Sequence, residues 1–216
     1  MSELSASQCG CRQETSCNNN CGSGCGSWIW ILILLCVCGN NNDNGCGCGG
    51  NGFGFFGGGN GGVMGASARG AHKAGGNIVG VAPTFFKVDG VLFPQCTEFV
   101  FTETMRDRKE ILENRSDAFV VAPGGIGTFD EFFEIYTLKQ LGRHAKALVI
   151  YNVDGYYDDM IKMLRKTADQ EFMNTTSLEL IKVFDDADAM LDYIENYKGE
   201  LVNVTEVKHI NLVDED

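Results

Sequence analysis

The stretch Ala122-Pro-Gly-Gly-Ile-Gly-Thr-Phe-Asp-Glu131 leaves the backbone few paths. An apolar run, Ala118 to Val121, precedes it, and from Phe132 to Leu141 the apolar residues recur at helical spacing. The segment therefore reads as a strand, a glycine turn and a helix start. Its three glycines, Gly124, Gly125 and Gly127, let the backbone close on a ligand, and the first N–H groups of the helix have no intrahelical acceptor. Such a turn is an anion site suited to a phosphate. Glu131 stands about a turn into the helix, too close to a bound phosphate to be its ligand and well placed for the sugar beyond. A carboxylate beside a phosphate pocket suggests chemistry on a phosphorylated sugar.

The same residues support a plainer role. Thr128-Phe-Asp-Glu131 fits a capping box, in which Thr128 caps the helix and Glu131 reaches back to the N-cap amide. On these four residues alone both readings stay open.

With 216 residues, 44% of them hydrophobic, the chain is expected to form one domain of ordinary size behind an unusual first quarter. A formal net charge of −12 argues against nucleic acid held by a basic surface. Any phosphate must be bound by local groups.

Residues 1–54 differ in composition from everything after them. Of the 10 cysteines, all but Cys96 fall in this part: Cys9, Cys11, Cys17, Cys21, Cys25, Cys36, Cys38, Cys46 and Cys48, among Gly, Asn and Ser. A metal site would need a repeated Cys-x-x-Cys pair or similar spacing, and none is present. A secretory signal is not expected either, because only Arg12 precedes the apolar run and two glutamates oppose it. Residues 1–26 are expected to be low-complexity and disordered. Trp28 to Cys38 is an unbroken apolar run, too short for the ~20 residues of a membrane helix and not amphipathic enough for a membrane surface. It is assigned as a buried parallel strand, apolar on both faces and followed by Gly39.

Residues 40–54 are mostly Gly and Asn, and Phe53, Phe55 and Phe56 are the only plausible strand residues between Asn40 and Asn60. Gly57-Gly-Gly-Asn-Gly-Gly-Val-Met-Gly65 then forms a second glycine turn, read as facing a ligand because a small-residue helix, Ala66 to Ala74, starts immediately after it. Further strands are expected at Asn77–Ala82, Thr97–Thr102, Ala118–Val121, Ala147–Asn152 and Glu179–Phe184. Helices are expected at Glu103–Arg115, Gly155–Ala168 and Ala187–Tyr197. Arg106, Arg108 and Lys109 stand out in an acidic chain, although Asp107, Glu110 and Glu113 could make them an ordinary solvated helix face. Strands alternating with helices specify a parallel sheet covered on both faces, with ligands at the carboxyl ends of its strands. Both glycine turns and the Arg108 helix start at that edge.

These motifs together resemble the LOG family of cytokinin riboside 5′-monophosphate phosphoribohydrolases, also known as lysine decarboxylase-like or Rossmann fold nucleotide-binding proteins. The family pattern Pro-Gly-Gly-x-Gly-Thr-x-x-Glu is present as Pro123 to Glu131, and Met-x-x-Arg-Lys as Met105 to Lys109. Gly57 to Gly59 with Met64-Gly65, and the Asn-x-x-Gly-Tyr-Tyr of Asn152 to Tyr157, also match. The resemblance extends from about Phe55 to Tyr197.

It implies an α/β fold, a modified Rossmann-like three-layer sandwich with a mainly parallel sheet. It also implies a cytoplasmic homodimer with active sites near the interface, which hydrolyses the N-glycosidic bond of a purine or cytokinin riboside 5′-monophosphate to free base and ribose 5-phosphate. Arg108 and Glu131 match the catalytic pair. Gly58, Gly59, Met64, Gly65, Lys109, Gly124, Gly125, Ile126, Gly127, Thr128 and Thr137 match substrate-binding positions. Neither a metal nor an organic cofactor is implied, nor any nucleic-acid or membrane partner. The expected organisation is a tail over 1–26, the Rossmann-like domain over 27–200 and an acidic tail over 201–216. The first βαβ unit departs from the family pattern: Leu35 to Gly39 matches the first strand and Phe55 to Gly59 the second, but Gly, Asn and Cys replace the helix between them. Two other functions compete with this one. A protein of the same fold could bind nucleotide without turnover, and a pyridoxal phosphate decarboxylase would need a lysine by the glycine motifs, where only Lys109 stands.

Overall fold

The computed structural model describes residues 31–33, 36–37 and 53–203. The expected tail over 1–26, all but the last two residues of the irregular stretch expected over 40–54, and the residues from 204 onward lie outside the described residues.

Two blocks of sheet make the middle layer. One contains Phe53–Phe56 (β3), Asn77–Pro83 (β4) and Glu98–Thr102 (β5) in the order β3-β4-β5, all parallel. The other contains Ile31–Ile33 (β1), Cys36–Val37 (β2), Ala118–Val121 (β6), Ala147–Tyr151 (β7) and Lys182–Phe184 (β8) in the order β2-β1-β6-β7-β8. Every pair in it is parallel except β1 with β2. β3 lies against β1, so the two blocks abut. The single buried strand expected over Trp28 to Cys38 is thereby corrected. Ile31–Ile33 does pair in parallel with β6, in register Leu32 to Phe119, but Cys36–Val37 turns back antiparallel along β1. A run that is apolar at every position has no alternation to fix its register or the point where it reverses.

The central strands are buried on both faces, as covering helices require. In β6, Phe119 and Val121 face a core with Ile78, Val81, Leu112, Phe132, Leu148, Ile150 and Leu164, while Ala118 and Val120 face a second core with Ala147, Val149, Met190 and Ile194. The first core is closed by helices Gly62–Lys73 (α1), Met105–Arg115 (α2), Ile126–Gln140 (α3) and Asp158–Asp169 (α4), and the second by Ala187–Glu195 (α5). The result is the expected three-layer α/β arrangement.

Several helix starts differ from the sequence reading. α1 begins at Gly62, four residues before the expected Ala66. α4 begins at Asp158 rather than Gly155, because the Asn152 side chain accepts the Tyr157 N–H at 2.7 Å and holds a separate turn over Val153–Gly155. Within that turn Asp154 and Gly155 have φ of 51° and 72°. Residues Thr175–Leu180 form 3-10 turns, which shortens the expected last strand to Lys182–Phe184.

Candidate active site

Three strand ends deliver the site. The chain leaves β3 into Gly57–Asn60, β5 into Thr104 and β6 into Ala122–Gly125, all at the carboxyl edge of the sheet. α2 starts there with a true capping box: the Thr104 hydroxyl accepts from the Asp107 N–H at 3.1 Å, and the Asp107 carboxylate accepts from the Thr104 N–H at 2.9 Å. This firm start sets the rotation of α2 and directs Arg108 inward.

Arg108 is only 5% exposed. Its Nε donates to the Val81 carbonyl of β4 at 3.1 Å, and its Nη1 donates to Glu131 Oε1 on α3. A solvated helix face is thus excluded for Arg108, though it describes the exposed Arg106 well. Arg108 shares a face with the buried Leu112 four residues on, and that spacing is the signal by which its burial could have been read.

Glu131 is not a capping residue. α3 is capped at Gly125, three residues earlier than the box reading requires, and Gly125 has no side chain with which to cap. Thr128 is therefore inside the first turn, and the Glu131 carboxylate is free to meet Arg108. Burial pushes the Glu131 carboxyl above its usual range, while the positive charge and hydrogen bond of Arg108 pull it back down. The net direction is upward, so burial outweighs the pull of Arg108 on this carboxyl.

The glycine turn exposes Gly125, Ile126 and Gly127. Thr128 and Phe129 donate their N–H groups to the Gly125 carbonyl at 3.0 and 3.2 Å, which leaves the amides of Ile126 and Gly127 without intrahelical acceptors at an open helix N-terminus. Gly124 packs so closely on Thr128 that a Cβ there would fall 2.1 Å from its hydroxyl oxygen.

The second glycine turn comes to the same place. A Cβ on Gly57 would lie 2.2 Å from Arg108 Nη2, so only glycine lets the guanidinium sit against this backbone. Nothing in the sequence reading picked out Gly57 alone among its neighbours. Gly58 has a φ of 72° and its carbonyl accepts from the Phe93 N–H at 2.8 Å; Gly59 donates its N–H to Met64 Sδ at 3.3 Å. Gly65 lets α1 close on the Asn60 carbonyl, which a Cβ would approach to 1.9 Å.

Two more of the expected substrate positions, Lys109 and Thr137, lie on α2 and α3. The Lys109 ammonium is drawn to Asp130 and Glu134 on α3. Although burial lowers its pKa, these carboxylates hold it above the usual value. Thr137 is exposed on α3, six residues beyond Glu131 and so about 120° round the helix from it. The chain brings Arg108, Glu131, the two glycine turns and Met64 together, and leaves Thr137 apart. Among the described residues no group of three or more His, Cys, Asp or Glu could hold a metal, and no helix is long and apolar enough to cross a membrane.

A family model described as possible lysine decarboxylase matches residues 64–194. The chain is 33% identical over 142 residues to the cytokinin riboside 5′-monophosphate phosphoribohydrolase LOG2 of Arabidopsis thaliana, a match covering 66% of this chain and 67% of that protein. It is 38% identical over 130 residues to the cytokinin riboside 5′-monophosphate phosphoribohydrolase of Mycobacterium tuberculosis, covering 60% of this chain and 70% of the relative. LOG7 of Arabidopsis thaliana, with the same name, is 31% identical over 150 residues and is matched over 69% of each chain.

Proposed function

The chain belongs to the family described as possible lysine decarboxylase, and from that premise we propose that it hydrolyses the N-glycosidic bond of a nucleoside 5′-monophosphate, with Arg108 and Glu131 as its catalytic pair. The observation that carries the proposal is the buried Arg108–Glu131 ion pair set between two glycine turns, one of them an open helix N-terminus. Its relatives named for that activity support the reaction class.

In this reading the 5′-phosphate binds at Gly124–Thr128, where the amides of Ile126 and Gly127 and the helix dipole favour negative charge. The ribose then extends toward Glu131. As the bond from C1′ to the base nitrogen breaks, its electron pair leaves with the base and the sugar takes on oxocarbenium character. The Glu131 carboxylate stabilises that charge and accepts a proton from the water that adds to C1′; the departing base takes a proton from solvent, and Glu131 returns its own to solvent to close the cycle. The products are free base and ribose 5-phosphate. Arg108 orients the buried carboxylate and opposes the upward push that burial exerts on it. With Nε held by Val81 and Nη1 by Glu131, its second terminal nitrogen, Nη2, lies against the Gly57 turn. Lys109, tied to Asp130 and Glu134, steadies α2 against α3 at the mouth of the site. A homodimer with its sites near the interface accompanies this reading, and sedimentation of the full chain tests it.

Lys109 does not favour the decarboxylase chemistry of the family's description, since its ammonium is engaged by two carboxylates and held charged. Incubation with a panel of nucleoside 5′-monophosphates, followed by chromatography, should show free base and an equal amount of ribose 5-phosphate from at least one purine nucleotide. Tight nucleotide binding without any release would select a non-catalytic binding protein instead.

A further inference from the structure

The segment Asn152-Val-Asp-Gly-Tyr-Tyr157 has no task in the reaction just described, yet it touches the central turn directly. The Tyr157 hydroxyl donates to the Ala122 carbonyl at 2.6 Å, and the Tyr156 hydroxyl donates to the Gly124 carbonyl at 2.7 Å. The two bonds straddle Pro123, which has no N–H to contribute. Consecutive residues thus grip alternate carbonyls on the strand side of the glycine turn.

The tyrosines are themselves fixed. Asn152 accepts the Tyr157 N–H at 2.7 Å and donates to Asp158 at 2.8 Å, while Gly155, at a φ of 72°, makes the turn that presents the pair. The rings meet edge to face at 4.9 Å, and Phe129 from the first turn of α3 packs on the Tyr157 ring at 6.2 Å. Helix α3 has no side-chain cap of its own. A glycine-rich turn without a cap samples many shapes, and only a fraction of them point the amides of Ile126 and Gly127 at one anion.

We propose that Tyr156 and Tyr157 are positioning residues that hold the Gly124–Gly127 turn in the shape that receives the substrate's 5′-phosphate. The identity of the ligand rests on the hydrolase reading above. Tyr157 is 1% exposed and Tyr156 53% exposed, so their roles separate by experiment. Removing the Tyr157 hydroxyl strands the buried carbonyl of Ala122, which also lowers stability. Removing the Tyr156 hydroxyl leaves the Gly124 carbonyl to water and affects the turn alone.

Tyr156→Phe in the full chain is therefore the decisive variant. By calorimetric titration its affinity for ribose 5-phosphate should fall on the order of tenfold, with affinity for unphosphorylated adenosine and the melting temperature unchanged. In turnover the same variant should raise KM for the nucleotide with little change in kcat. Tyr157→Phe should lose phosphate affinity as well as stability. Wild-type affinity for ribose 5-phosphate in Tyr156→Phe, or equal loss for ribose 5-phosphate and adenosine, would overturn the proposal, as would a wild-type chain that does not bind ribose 5-phosphate. Because these readouts are binding affinities, a wild type that binds but releases no base would sink the hydrolase reading and leave this comparison decisive.

Discussion

At the carboxyl edge of the sheet, Arg108 and Glu131 are buried as opposite charges in contact, whereas at the amino edge the hydrogen bonds of the buried Lys139 and His144 run to neutral groups. The Lys139 ammonium donates to the Lys146 carbonyl at 2.8 Å and to the Tyr197 hydroxyl at 3.0 Å, and lies over the Tyr197 ring. His144 donates from Nε2 to the Ile135 carbonyl at 2.9 Å, and its Nδ1 accepts from the Lys146 N–H at 3.3 Å. Burial, reinforced by Lys182, pushes Lys139 down to about 8. Burial likewise takes His144 down to about 4. The amino edge therefore drives its titratable groups toward neutrality, while at the carboxyl edge burial pushes Glu131 the same way and the charge of Arg108 opposes it. Burial of an ionisable group does not by itself mark a site. An ion pair beside exposed helix amides and glycine-lined space does, and among the described residues the carboxyl edge combines all three.

This contrast breaks most sharply at Glu131. Glu131→Gln keeps the shape of the side chain and its contact with Arg108 but not the charge. Base release should fall on the order of 100-fold or more, with nucleotide affinity altered far less. Because burial raises the Glu131 carboxyl, the acid limb of kcat/KM in the wild type should lie above the ordinary value of 4.5. A limb at or below that value would show that Arg108 dominates the balance. Arg108→Met strands the buried carboxylate and should cost about 3–5 kcal/mol in chemical denaturation, together with activity.

The amino edge should respond in stability alone. Lys139→Met removes an ammonium that is costly to bury but leaves the Lys146 carbonyl without its donor, so a loss of about 1 kcal/mol is expected, with base release at the wild-type level. A large drop in turnover would mean that the two edges are coupled. For His144 the sign follows from its depressed pKa. The unfolded chain takes up the proton first as pH falls, so the stability His144 contributes is present above about 6.5 and is lost as pH falls toward about 4. Denaturation of wild type and His144→Gln across that window should show the variant losing less stability than the wild type. Parallel curves would place His144 in contact with water.

The two edges also differed in how far the sequence revealed them. The strand, glycine turn and helix around Ala122 to Glu131 were legible because three glycines between a β-branched run and a 3.6-residue period allow little else. The role of Glu131 was not, since Thr-x-x-Glu fits both a cap and a site. The choice depends on where α3 begins, and it begins at Ile126, outside the control of Thr128. The real capping box, Thr104 with Asp107, uses an aspartate where the usual signature has Glu or Gln. Burial of Arg108 was hidden by a helix whose neighbouring residues are nearly all charged. Lys139 and His144 were invisible because their partners are carbonyls and a hydroxyl contributed by chain up to 58 residues away. Gly57 was missed because a glycine run does not say which of its members a side chain will press against.

One assay on the wild-type chain, read together with nucleotide binding, tests both the phosphate cradle and the carboxylate beside it. Adenosine and adenosine 5′-monophosphate are offered at equal concentration and free adenine is measured over time. Binding of the phosphate at Gly124–Thr128 predicts adenine from the monophosphate and almost none from the nucleoside. Equal release from both would contradict the assignment of the turn to phosphate, and nucleotide bound without release would contradict the assignment of Glu131 to catalysis.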